Sequence, residues 1–130
     1  MVRKLLWLAP VMLAVASCTD PISATQDPVV QYPQVQFDSY YLQTWMRVQP
    51  PAVDRVGAGQ LHVVVPIRNR TDEDRSLDYK YYFTDKNGVQ VESPSGWQLV
   101  KIPRKGIEQF EFTSLSAAPQ DFRVELREAK

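Results

Sequence analysis

Cysteine and histidine are almost missing from this chain. Its 130 residues hold 1 Cys and 1 His. A single cysteine excludes an internal disulfide framework, and one histidine with one thiol excludes a Cys/His zinc site. An excess of charge is missing too, with 15 Lys+Arg set against 15 Asp+Glu. Without a basic surplus there is no electrostatic footprint for nucleic acid. With 5 Gly and 10 Pro the composition is neither collagen-like nor low-complexity. Long apolar runs are absent after the first 18 residues. The length suits one domain and is too short for two of ordinary size.

What is present begins with an address. Arg3 and Lys4 precede an apolar stretch from Leu5 to Val15 that Pro10 interrupts. That stretch is too short for a hydrocarbon core of about 30 Å, which takes roughly 20 helical residues. It has the order of a secretory leader: positive n-region, apolar h-region, then small residues. Val15-Ala16-Ser17-Cys18 resembles the lipobox of bacterial lipoproteins. The resemblance implies cleavage before Cys18 and acylation of its thiol and new amine. Residues 1–17 are therefore expected to be a lipoprotein signal peptide, with Cys18 the lipidation site. Each buried acyl methylene contributes about 0.8 kcal/mol, so several chains hold a protein at a bilayer essentially permanently. Thr19 stands where such lipoproteins carry an inner-membrane retention Asp. This points to the periplasmic side of the bacterial outer membrane, and Asp20 keeps the inner membrane open.

Residues 18–37 are expected to form the lipidated Cys and an extended tether. Pro21, Pro28 and Pro33 block helix and favour extended chain. At about 3.1 Å per residue such a segment reaches on the order of 50 Å. An edge strand over Val29 to Val35 is the alternative.

From Asp38 the pattern is that of strands. Tyr41–Val48 alternates, with Leu42, Met46 and Val48 on one side. Leu61–Arg68 places Leu61, Val63, Val65 and Ile67 on one face. Leu77–Phe83 does the same with Leu77, Tyr79, Tyr81 and Phe83. Trp97–Ile102, Ile107–Ser114 and Phe122–Leu126 follow. Period-two alternation marks half-buried strands. Asp85-Lys86-Asn87-Gly88 has the chemistry of a hairpin turn, since Asn-Gly accepts positive φ. Pro66 cannot donate to a ladder, so an edge or a bulge is expected there. Turn signals every eight to twelve residues predict an all-β domain over 38–130, an immunoglobulin-like antiparallel β-sandwich of about seven strands. A barrel of similar strand count fits the same pattern. The expected core contains Tyr79, Phe83, Trp97, Phe110, Phe112 and Phe122.

These residues carry a resemblance. The valine strand ending in an Asn-Arg pair (Val63–Arg70), the aromatic strand ending at Asp-x-x-Gly (Tyr79–Gly88), Trp97, and Ala118–Arg127 occur in one order and spacing. Over about residues 58–128 the chain resembles the YcfL-type bacterial lipoproteins, a largely uncharacterised family. The resemblance implies an immunoglobulin-like sandwich and brings no catalytic residues. It departs at Phe83-Thr84, where that family often has a Trp.

The chemistry-bearing residues are sparse. No phosphate-cradling Gly motif and no G-x-S-x-G elbow occurs. Asp72-Glu73-Asp74 lacks the regular oxygen spacing and the Gly of a calcium loop, so it reads as a solvated acidic turn. His62, opposite Leu61 and Val63, reads as a surface histidine. No catalytic residue, metal or cofactor is assigned, and the chain is expected not to be an enzyme. Tyr41, Trp45 and Tyr82, with Arg47, are the expected exposed surface, because aromatics and arginine supply contact area at interfaces. The expected role is a non-enzymatic periplasmic interaction module with an envelope protein partner. The alternative is a lipoprotein that binds glycan, peptidoglycan for example, or a small ligand through exposed aromatics.

Overall fold

The computed structural model of the protein describes residues 29–130. The expected leader, Cys18 and most of the expected tether lie outside the described residues. Eight strands form two four-stranded sheets that pack face to face as an immunoglobulin-like β-sandwich. The first sheet has the order β1 (Val35–Phe37), β8 (Asp121–Glu128), β5 (Arg75–Thr84), β6 (Gln98–Ile102). The second is built on β4 (Gln60–Asn69). On one flank β4 pairs β7 (Ile107–Thr113); on the other it pairs β3 (Ala52–Val56) and then β2 (Met46–Val48). All pairings are antiparallel except β1 with β8.

Alternation sets which residues meet between the sheets. β4 buries Leu61, Val63, Val65 and Ile67, and β8 buries Phe122, Val124 and Leu126. Aromatic rings from facing sheets stack in register. Tyr79 lies on Phe110 at 4.4 Å, and Tyr81 on Phe112 at 4.2 Å, with interplanar angles of 4° and 13°. Offset stacking of this kind adds about 0.5–1.5 kcal/mol per pair beyond burial.

Several elements differ from expectation. The sheet starts at Val35, three residues before Asp38, because Val35–Phe37 adds to β8 in parallel. Tyr41–Val48 is not one strand. A single helical turn, α1 (Leu42–Trp45), precedes β2. Leu42, Trp45 and Met46 stand at i, i+3 and i+4, so one turn buries all three. β3 has no alternation, being exposed along nearly its whole length, and periodicity alone misses it. Trp97 is not in the core; it is 37% exposed on the outside.

Pro66 sits in the central strand, not at an edge or a bulge. Its carbonyl accepts from Gln49 N at 2.9 Å. In an antiparallel strand the amide and carbonyl of one residue point to the same side. The missing N–H therefore faces the seam between β3 and β2, where no acceptor is required of a ladder.

One buried polar side chain ties the end of the sandwich together. Asn69 is fully buried. Its Nδ2 donates to Glu73 O at 2.8 Å and Ile102 O at 3.1 Å. Its Oδ1 accepts from Thr71 N at 2.9 Å and Thr71 Oγ1 at 2.8 Å. The end of β4, the acidic loop and the end of β6 are thereby joined. At the opposite end Glu92 accepts from Leu115 N and Ser116 N, both at 3.0 Å, joining loop 85–97 to loop 114–120.

Candidate interaction surface

The four expected surface residues do not form one patch. Trp45 is 4% exposed, because the helical turn drives it into the core, and it is withdrawn from the surface. Tyr41 stays exposed at the head of that turn, beside Tyr40 at 79%. Arg75 Nη1 donates to Tyr41 Oη at 3.4 Å, and its guanidinium lies 5.7 Å from the Trp45 ring. Arg47 is half-buried and closes the turn, donating to Gln43 O and, at 2.8 Å, to Met46 O. Tyr82 lies elsewhere, half-buried on the outer face of the first sheet opposite Arg123. The structure thus keeps a tyrosine-bearing tip, Tyr40 and Tyr41 with Arg75 and Arg47, and separates Tyr82 from it.

A second surface was missed by sequence reasoning. On the outer face of the first sheet, Asp78 pairs Arg127 and Lys80 pairs Glu125 across β5 and β8. Arg127 Nε donates to Asp78 Oδ2 at 3.2 Å, and Lys80 Nζ lies 3.3 Å from Glu125 Oε2. Trp97 lies over both cations. Its ring centroid is 3.8 Å from the Arg127 guanidinium and 5.0 Å from Lys80 Nζ. Cation–π contact fixes the indole. The signal was there: Val100 and Ile102 face inward, and period two carried back from them puts Trp97 outward. Between Trp97 and β1 runs a groove of about 470 Å³.

A third cluster spans the outer face of the second sheet. His62 Nδ1 meets Asp54 Oδ1 at 2.8 Å, and Nε2 meets Glu111 Oε1 at 2.7 Å. These hydrogen bonds, to Glu111 first and Asp54 second, raise the imidazole pKa above its ordinary 6.5. Only the doubly protonated ring donates to both carboxylates at once. Each nitrogen serves a different carboxylate, so the three groups do not converge on a point. Among the described residues no group of three or more His, Cys, Asp or Glu is arranged to hold a metal ion. The acidic loop is tied to basic neighbours: Asp72 lies 3.7 Å from Lys105, Glu73 3.6 Å from Arg75, and Asp74 3.9 Å from Lys101.

Residues 33–128 match the family model of a protein of unknown function, DUF1425. The chain belongs to the DUF1425 family. The match opens two residues before β1 and closes on the last residue of β8, so the DUF1425 domain is the whole sandwich. The crystal structure of a DUF1425 family member from Shewanella sp. pv-4 is 27% identical, with a TM-score of 0.58 over 65% of this chain and 79% of that one. Campylobacter jejuni cj0090 is 19% identical, with a TM-score of 0.62 over 74% of this chain and 98% of that one. At that identity the likeness to cj0090 is one of fold. No curated protein matches the chain. Among the described residues no helix is long and apolar enough to cross a membrane.

Proposed function

We propose that this DUF1425 protein is a YcfL-type lipoprotein, acylated on Cys18 and held on the periplasmic side of the outer membrane. Its sandwich acts as a non-enzymatic module that docks an envelope protein. The observation that carries the docking reading is the tip: Tyr40 and Tyr41 stand side by side, 79% and 48% exposed, on a turn whose base is buried. A pair of tyrosines next to arginine is the composition of an interface centre, because large amphipathic rings bind with little loss of conformational freedom. The lipobox-like Val15–Cys18 supports the anchor.

Two measurements separate the parts of this reading. Cys18→Ala is expected to move the protein from the membrane to the soluble fraction. If the variant still pellets with membranes, the anchor is wrong. A photo-crosslinking residue at position 41 in intact cells is expected to trap one protein reproducibly. If only lipid is trapped, the docking reading is wrong while the anchor stands.

A further inference from the structure

The groove beside Trp97 has a lining that selects one kind of ligand. One wall is the indole, held by Arg127 and Lys80 and still 37% open. The Arg127 guanidinium, 3.8 Å from the ring centroid, covers part of one face and leaves the rest of the indole free for a ligand. The other wall is β1 and the residue after it, with Gln36, Phe37 and Asp38. Glu125 and Arg127 form the floor, and Lys130 stands at the rim. Two carboxylates face two cations, so the groove has no net preference for charge. An anion meets Asp38 and Glu125; a cation meets Arg127 and Lys130. A purely apolar ligand would strip water from four charged groups without giving hydrogen bonds in return. What fits is a neutral molecule with many hydroxyl or amide groups and an apolar C–H face.

The polar groups suit that ligand in number and type. Carboxylates accept only, the guanidinium and ammonium donate only, and Gln36 does both. Arg127 engages Asp78 through Nε, so its Nη groups remain to donate elsewhere. A sugar ring presents hydroxyls at its edge and C–H bonds on its face, the arrangement that an aromatic wall with flanking planar polar groups recognises. The volume, about 470 Å³, is that of a small-ligand site.

We infer that this groove is a saccharide-binding site, with Trp97 as the stacking platform and Gln36, Asp38, Glu125 and Arg127 as hydroxyl partners. The inference uses a different face from the tyrosine tip and does not depend on the anchor. It also relocates glycan recognition from the expected Trp45 and Tyr82 to Trp97.

The test is calorimetric titration of the purified full-length chain in detergent micelles with chitotetraose and with cellotetraose. Saturable binding of at least one is expected. Trp97→Ala is expected to weaken it at least about tenfold, while Trp97→Phe keeps an aromatic face and recovers most of it. Asp38→Asn on the opposite wall weakens it severalfold, which guards against a misfolded Trp97 variant, and Tyr41→Ala leaves it unchanged. Binding of chitotetraose alone assigns an N-acetylated glycan; binding of both assigns recognition of the ring and hydroxyls. No saturable heat with either sugar, or equal affinity in Trp97→Ala and the unaltered chain, overturns the inference.

Discussion

Removing the side-chain amide of Asn69 is the sharpest available perturbation of this sandwich. Asn69→Ala takes away four hydrogen bonds at a fully buried position. The four partners do not suffer equally. Ile102 O lies inside the protein and loses its donor, and Thr71 N loses its acceptor. Thr71 Oγ1 and Glu73 O already meet at 3.1 Å and retain each other. Two orphaned groups at about 1–3 kcal/mol each give a destabilisation of about 4 kcal/mol. A domain of this size has about 5–15 kcal/mol in total, so the variant stays folded at room temperature. With a urea slope of about 2 kcal/mol per M, the midpoint falls by about 2 M. Asn69→Asp keeps the acceptor for Thr71 but sets a carboxylate against the carbonyls of Glu73 and Ile102. Equilibrium urea titrations followed by circular dichroism measure both. A shift below about 0.5 M for Asn69→Ala, or an Asn69→Asp variant as stable as the parent at neutral pH, refutes the assignment of Asn69 as the tie between these segments.

Two further outcomes follow from packing and from charge. Phe110→Ala removes a ring that is 1% exposed and stacked on Tyr79, which costs about 3–5 kcal/mol, whereas Leu115→Ser, 85% exposed, changes stability by less than about 0.5 kcal/mol; thermal melts of the two variants check the contrast. His62 should titrate above 6.5 by proton NMR, because Glu111 and Asp54 hold its protonated form. A raised folded pKa means that the His62 contribution is complete below the unfolded value of 6.5 and is lost as pH rises through the folded midpoint, so His62→Gln should flatten that part of the pH–stability curve. A midpoint at or below 6.5 contradicts the bridge.

The long strands were legible because each buries one face continuously. In β4 and β8 every second residue is buried, and the period-two signal needs no tertiary knowledge. Shorter elements failed for identifiable reasons. In the Tyr41–Val48 segment, helical spacing of Leu42, Trp45 and Met46 competes with alternation of Leu42, Met46 and Val48, and one turn of helix satisfies the first set while β2 takes the last. β3 carries no burial pattern, since its side chains face solvent and its partner β4 supplies the ladder. Its signal lay instead in the Gly57-Ala58-Gly59 turn, where both glycines adopt positive φ, 53° and 91°, to reverse the chain.

The surfaces were less legible than the core for a deeper reason. Burial is a property of one strand and its period; a surface cluster is a property of register between strands. Asp54, His62 and Glu111 come from three strands, and they meet only because His62 pairs Asp54 on one flank and lies beside Val64, the partner of Glu111, on the other. The Trp97 platform likewise needs Asp78 opposite Arg127 and Lys80 opposite Glu125. A one-residue slip of β8 against β5 would turn Arg127 inward and Leu126 outward, at a cost set by the whole hydrophobic face. The core that burial enforces therefore also fixes the outer register. The ion pairs beside Trp97 are partly buried, Asp78 being 8% exposed, and through their cations they hold the indole at one position. In that way a sandwich packed for its interior presents a preorganised groove on its outside.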